Sequence, residues 1–147
     1  MESIEFFRVE DYRVLRDLTR RSFVLNAYNV DAHLPRPLKG EVFFENVATR
    51  ALHEHSNSCL VARLRGHPVG YIIFGVDQAL SLTLGVRTAT IILFCVDEAQ
   101  AGRGIGRRLL ARTMALLSSR GIGLLTVGTD ANNFPALSLY QEAGFAT

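Results

Sequence analysis

Three glycines at alternate positions, Gly102, Gly104 and Gly106, join an apolar stretch to a long stretch rich in arginine and leucine. Glycine allows tight turns and a close approach of the backbone to a ligand, and the free N–H groups of a first helical turn bind anionic oxygens. The spacing therefore predicts a cradle for a diphosphate group. The nearby arginines suit either a solvated helix face or a collar of phosphate ligands: Arg103, Arg107, Arg108 and Arg112.

Three kinds of phosphate loop, and a plain strand–helix turn, compete for this stretch. A nucleoside-triphosphate loop ends in Gly-Lys-Ser/Thr, but Arg107 follows the last glycine and Lys39 is the only lysine. A dinucleotide fingerprint would need glycine at Arg107 and an acidic residue about 20 residues on, after another parallel strand, whereas Asp130 lies in a predicted turn. The remaining type, a strand followed by x-x-G-x-G and a long helix, fits the spacing.

A second pattern lies downstream, in residues 133–145. Pro135 suits the first turn of a helix, and Gly144 suits the left-handed residue that ends one. A tyrosine on such a helix can be a packing residue, but next to the glycine loop we favour a functional role for Tyr140. The positions that form the pattern are Asn133, Ala136, Leu139, Tyr140, Gly144 and Phe145.

Together, the two patterns resemble the acyl-coenzyme A loop and the following helix of the GNAT superfamily of N-acetyltransferases. The predicted order of elements extends the resemblance over nearly the whole chain. The implied fold is an α/β (α+β) GNAT domain, with a mixed, mostly antiparallel central sheet and flanking helices. The resemblance implies one domain over residues 1–147, with acceptor-side helices and loop in residues 1–57 and the sheet core and acetyl-CoA site in residues 58–147.

The resemblance implies direct attack of a primary amine, from a small molecule or a peptide, on acetyl-CoA as co-substrate, without a metal. Tyr140 would act as general acid toward the leaving thiolate, and Asn133 would contact the pantetheine or the acceptor side. The strand before the loop would pair with the pantetheine, and the loop would hold the diphosphate. These cofactor-binding residues are Phe94, Cys95 and Val96 in the strand and Ala101, Gly102, Arg103, Gly104, Ile105, Gly106 and Arg107 in the loop.

The chain departs from the family pattern at the base that must deprotonate the acceptor. Many relatives carry a glutamate on the strand before the loop, but residues 91–94 are all apolar here. His33, Asp31, Glu45 and a water chain from Asp97 remain open as alternatives. A further departure is Ala101, at a position where the family has glutamine or arginine. An acyl-CoA sensor or a degenerate domain without turnover is the alternative function.

A last departure is at the C-terminal end. Relatives continue past the Gly144-Phe145 pair with one or two strands, whereas this sequence ends at Thr147. Three explanations are open: a shortened chain, a strand supplied by a second copy in a homodimer, or a degenerate domain. The acceptor half of the chain also distantly resembles acetyltransferases that modify amino sugars on nucleotides.

Composition narrows the function classes. The 147 residues suit one domain, and 48% apolar residues can form a core. The net charge of +2 and the absence of a lysine-rich tail argue against nucleic acid as a partner. Cys59 and Cys95 have neither metal nor disulfide spacing, so we expect reduced core thiols. No stretch reaches the roughly 18 apolar residues of a membrane span, so we expect a cytoplasmic protein without membrane contact.

Periodicity and turn residues define the elements that must position these groups. We expect strands over residues 4–9, 58–64, 68–75, 86–96 and 123–128, the third of them buried on both faces. We expect helices over residues 10–26, 41–53 and 104–120 and between Asn133 and Gly144. Residues 27–39 and 77–85 are expected to be irregular, and residues 65–67 to form a hairpin turn.

Overall fold

The computed structural model describes residues 1–26, 49–50, 52–53, 58–128 and 134–146. The described strands form one sheet in the order β1-β2-β3-β4-β5. They are β1 (Glu2–Phe6), β2 (Cys59–Leu64), β3 (His67–Val76), β4 (Thr88–Val96) and β5 (Leu124–Val127). Neighbouring strands are antiparallel except β4 and β5, which are parallel. The predicted mixed, mostly antiparallel sheet is therefore confirmed.

Four helices of the described chain flank this sheet: α1 (Tyr12–Asn26), α2 (Gln78–Leu84), α3 (Ile105–Ser119) and α4 (Phe134–Glu142). Residues 49, 50, 52 and 53 are also helical, and the rest of the predicted helix over residues 41–53, like the predicted loop over residues 27–39, lies outside the described residues. None of the helices in the described ranges is long and apolar enough to cross a membrane.

The sheet is covered on both faces, and β3 shows the division most clearly. Tyr71 and Ile73 pack with α1, whereas Ile72 and Phe74 pack with α3 and α4. These four side chains are at most 1% exposed, which confirms the strand that the apolar run predicted to be buried on both faces. The faces therefore carry separate clusters, one around α1 and one around α3 and α4.

The connection between β3 and β4 differs from the expectation of an irregular segment, because it contains the helix α2. Asp77 caps this helix by accepting a hydrogen bond from the Leu80 N–H at 2.9 Å, and Gly85 ends it in a left-handed conformation. None of its seven residues is buried. The hydrophobic periodicity on which the sequence prediction relied is consequently absent, although both capping residues are visible in the sequence.

The first strand also differs, because it covers Glu2–Phe6 and ends before a short 3₁₀ helix at Val9–Asp11. The side chain of Asp11 accepts hydrogen bonds from two Arg63 nitrogens at 2.5 and 2.6 Å and from the Arg8 N–H at 2.8 Å. Asp11 and Arg63 are each only 4% exposed. This buried ion pair fixes the start of α1 on β2 and ends the strand three residues earlier than hydrophobicity suggests.

The ion pair determines the protonation of Asp11. Burial opposes the charged carboxylate, but the hydrogen bonds from the Arg63 guanidinium and the Arg8 N–H outweigh it, so the pKa of Asp11 is lowered. A group whose pKa is lowered by folding stabilises the native state above its unfolded pKa of about 3.9 and loses that contribution as the pH falls.

We expect the free energy of unfolding, measured with urea, to fall more steeply from about pH 6 to about pH 3 in the wild type than in Asp11→Asn. At neutral pH the substitution should cost about 2 kcal/mol, because the buried Arg63 keeps only the partly exposed Glu5, whose Oε2 lies 3.4 Å from Arg63 Nε, as a charged partner. Asp17→Asn, the same change at an exposed position of α1, should cost less than about 0.5 kcal/mol. Equal pH slopes in wild type and Asp11→Asn would contradict this account.

Candidate active site

A β-bulge in β4 decides which of its side chains face the candidate site. Ile73 pairs with Leu93 and Phe74 pairs with Ile91, so Ile92 is an extra residue in β4. Ile91 packs with the α3 and α4 cluster and Leu93 with the α1 cluster. The extra residue therefore shifts the alternation by one position, and Phe94 faces α3 and α4 instead of α1.

β4 also has a free outer edge beyond the bulge. Its parallel pairing with β5 runs from Thr88↔Leu124 to Ile91↔Val127, where β5 ends. Residues 92–96 continue without a neighbour on that side in the described sheet. Backbone N–H and C=O groups require partners, so this edge is available to pair with an extended ligand.

The glycine loop follows β4 and is held at its start by Asp97. The Asp97 N–H donates to the Val69 carbonyl at 2.7 Å, and its carboxylate accepts from the Ala99 N–H at 3.1 Å, which caps the short 3₁₀ helix Glu98–Gln100. Gly102 and Gly104 then adopt left-handed φ values of 81° and 76°. Such values favour glycine because a Cβ would be strained there.

The N-terminus of α3 is left open by this arrangement. Gly104 is its N-cap residue and brings no side-chain oxygen, and the first turn contains no acidic residue. The N–H groups of the first turn and the positive end of the helix dipole are thus available to an anion. Ile105 is 2% exposed and packs into the core, so it can offer an anion only its backbone N–H.

Gly106 brings the strand, the loop and α4 together. A Cβ built at Gly106 would lie 3.5 Å from Leu139 Cδ2, 3.6 Å from Val96 Cγ2 and 3.7 Å from Phe94 Cζ. The first turn of α3 therefore packs directly on the end of β4 and on α4. Three segments that the sequence singled out separately converge at one place.

Two of the arginines in the predicted phosphate collar are engaged with carboxylates. Arg107 Nη2 donates to Glu142 Oε2 at 2.6 Å, and Arg108 binds both carboxylate oxygens of Glu2 at 2.5 Å. Arg108 also donates to the Arg103 carbonyl at 2.8 Å, within the loop. Neither carboxylate could be identified from the sequence, because they lie 35 and 106 residues away along the chain.

Tyr140 projects from α4 toward the end of β4. It is 8% exposed, and its ring lies 6.4 Å from that of Phe94 and 5.6 Å from that of Phe145. Burial raises the pKa of its hydroxyl, so the phenol is protonated at neutral pH. Among the described residues, none forms a hydrogen bond with this hydroxyl. A protonated group without a fixed partner is suited to donate its proton to a ligand.

A cavity of about 760 Å³ borders Tyr140. Residues 123–128 line it without interruption, so the cavity follows the outer edge of β5, and Met114, Gln141 and Phe145 contribute to its walls. β5 is the last strand of the described sheet. Pairing of a second copy's strand along this edge stays a prediction.

Other predicted residues lie elsewhere. Asn133 and the base candidates Asp31, His33 and Glu45 fall outside the described residues. The side chain of Cys95 packs in the α1 cluster, with its thiol 3.8 Å from the Leu18 carbonyl, on the opposite face from Tyr140. Only the backbone of Cys95 can therefore take part in the site.

Comparisons with known proteins agree with this arrangement. A family model described as the acetyltransferase (GNAT) family matches residues 12–145. The chain is 28% identical over 135 residues to the spore coat polysaccharide biosynthesis protein SpsD of Bacillus subtilis, across 92% of this chain and 44% of SpsD. It is 27% identical over 146 residues to the mycothiol acetyltransferase of Amycolatopsis mediterranei, across 90% of this chain and 48% of that protein.

A solved structure shows the same fold. The PaiA N-acetyltransferase of Thermoplasma acidophilum, in complex with coenzyme A, is similar with a TM-score of 0.77 and 17% identity, over 99% of this chain and 90% of that one. The protein belongs to the GNAT family of acetyltransferases, as the two sequence patterns predicted. It spans a little under half the length of the two curated relatives.

Alanine substitutions at Gly104 and Gly106 should distinguish the effect of backbone strain from the effect of side-chain packing. Gly104→Ala should lower the free energy of unfolding by about 1–2 kcal/mol, because alanine is strained at a left-handed φ. Its Cβ would also lie 2.9 Å from the Arg108 side chain. Gly106→Ala meets only ordinary contacts and should change the free energy of unfolding by less than about 1 kcal/mol. Denaturant unfolding of both variants tests this, and equal losses would contradict the loop geometry.

Proposed function

We propose that the protein transfers an acetyl group from acetyl-CoA to a primary amine of an acceptor. The observation that carries the proposal is the open N-terminus of α3, which Gly104 caps without a side chain and Gly106 holds against Phe94 and α4. Family membership supports the same chemistry. We further propose that residues 58–147 bind the cofactor and residues 1–57 supply the acceptor side.

The described residues suit the parts of acetyl-CoA. The backbone N–H groups of residues 101–107 would bind the diphosphate, where the helix dipole favours negative charge. The free edge of residues 94–96 would pair with the amides of the pantetheine, as an added strand does. When bound, acetyl-CoA supplies an acetyl group activated as a thioester.

The chain's own groups would then promote the transfer. Holding the amine and the thioester in one cleft replaces a bimolecular encounter, so no covalent enzyme intermediate is needed. Backbone N–H groups near Phe94 would polarise the thioester carbonyl. The Tyr140 hydroxyl would donate its proton to the sulfur as the thiolate leaves, and the raised pKa keeps that proton in place at neutral pH.

A second candidate is coenzyme binding without turnover. The observation that favours it is the apolar composition of residues 91–94, which place no carboxylate on β4 to deprotonate an ammonium group. The two candidates share the cofactor site and differ in thiol release. We propose amino sugars as the first acceptor class to screen, because the resemblance of the acceptor half points there, followed by peptides, polyamines and amino acids.

Cofactor binding should be visible before the acceptor is known. A ligand at about 100 times its dissociation constant stabilises the native state by about 2.7 kcal/mol, which corresponds to a rise of several degrees in Tm for a domain of this size. We expect acetyl-CoA and free coenzyme A to produce this shift in thermal unfolding and ATP to produce a much smaller one. The same Tm with and without both coenzymes would contradict the proposal.

Tyr140→Phe should separate catalysis from binding. Removing the hydroxyl should lower kcat by about 100-fold or more, because the thiolate loses its proton donor, while the Kd for acetyl-CoA changes by less than about threefold. Release of free thiol with an acceptor found in the screen measures kcat. Tyr12→Phe, on the opposite face of the sheet, is the matched control for cofactor binding and should leave the Kd for acetyl-CoA unchanged. If Tyr140→Phe has small and equal effects on kcat and on the Kd for acetyl-CoA, Tyr140 is only a packing residue.

A further inference from the structure

Arg107 lies in the first turn of α3, and its guanidinium is bound by an acidic side chain of another element. Its guanidinium donates to the Glu142 carboxylate at 2.6 Å, which links the first turn of α3 to the last turn of α4. The side chains are 70% and 57% exposed. Solvent therefore reaches both groups, and the pair can open without uncovering a buried charge.

The position of this pair matters because it borders the place where an anion would bind. Arg107 lies within the first turn of α3, whose N–H groups are the proposed ligands of the diphosphate. Glu142 brings a negative charge to the same helix end, although acidic residues are absent from the turn itself. A carboxylate at this place competes with a phosphate group for the guanidinium, and its negative charge repels the phosphate.

We propose that Glu142 is an internal competitor for the phosphate groups of the coenzyme. Glu142 binds Arg107 in the free protein, and this ion pair breaks when a phosphate group enters the loop and binds Arg107 instead. Glu142 therefore lowers the affinity for the phosphorylated part of the ligand. This inference rests on the proposed coenzyme A site. Arg108 does not take the same role, because its two bonds to Glu2 and its bond to the Arg103 carbonyl keep it at the base of the loop.

The size of the effect follows from the exposure of the pair. Exposed ion pairs contribute little, and their loss corresponds to an affinity change of about two- to fivefold. Glu142→Gln should therefore tighten coenzyme A binding by about that factor. It should leave the binding of pantetheine, which lacks phosphate groups, unchanged. The gain should shrink at high salt, because salt screens exposed charges.

The test is equilibrium binding of coenzyme A and pantetheine, by calorimetry, to the full chain carrying Glu142→Gln, Arg107→Gln or both substitutions. Arg107→Gln should weaken coenzyme A binding, and in its presence Glu142→Gln should have no further effect. Glu10→Gln is the matched control, because it removes the same charge from an exposed residue of the 3₁₀ helix before α1. Thermal unfolding without ligand checks that each variant is folded.

The outcomes separate this inference from the proposed function. Tighter coenzyme A binding in Glu142→Gln alone, lost in the double variant, supports competition for Arg107. If the wild type binds coenzyme A, and Glu142→Gln and Glu10→Gln bind it with equal affinity, the competition is overturned and the proposed function still stands. Weaker binding in Glu142→Gln also overturns it, because Glu142 would then orient Arg107 toward the ligand. If the wild type binds no coenzyme A, both the function and the inference fail.

Discussion

The candidate site depends on the point at which β4 loses its neighbour. Parallel pairing with β5 ends at Ile91, and the extra residue Ile92 follows at once. The backbone of a strand requires hydrogen-bond partners. The backbone N–H and C=O groups on the free edge after this point can therefore bind an extended ligand. The same extra residue turns Phe94 toward α3, where it meets Gly106 and Tyr140. The end of β5 thus leaves an edge of β4 free, and the insertion beside it orients the side chains of the site.

Charged groups are divided between the two faces according to burial. On the α1 side, Asp11 and Arg63 form a buried pair whose loss would leave the guanidinium with only the partly exposed Glu5 as a charged partner, so its role is structural. On the α3 side, Arg107 binds Glu142 at the surface, where partners exchange at little cost. A buried, fixed ion pair therefore anchors α1, whereas an exposed ion pair that can change partners lies where an anionic ligand would bind.

Much of the fold could be predicted from local signals. The buried run in β3, the hairpin turn at Arg65 and Gly66 and the helix after the glycine loop follow from periodicity and turn residues, and the structure contains all of them. The helix α2 was missed because two of its three leucines are exposed, Leu82 to 85% and Leu84 to 47%, so no apolar face marks it. The end of β1 was misplaced because a buried ion pair, rather than hydrophobicity, stops the strand at Phe6.

The sequence by itself determined the conformation of the loop and the family to which the chain belongs. Left-handed backbone at Gly102 and Gly104 depends on the absence of a Cβ, which is a property of the residue and not of its surroundings. Only the tertiary structure decided that Glu142 occupies Arg107 and that Phe94 faces Tyr140. Contacts of this kind depend on strand register and helix packing, which bring together residues far apart in the chain, and no local preference encodes them.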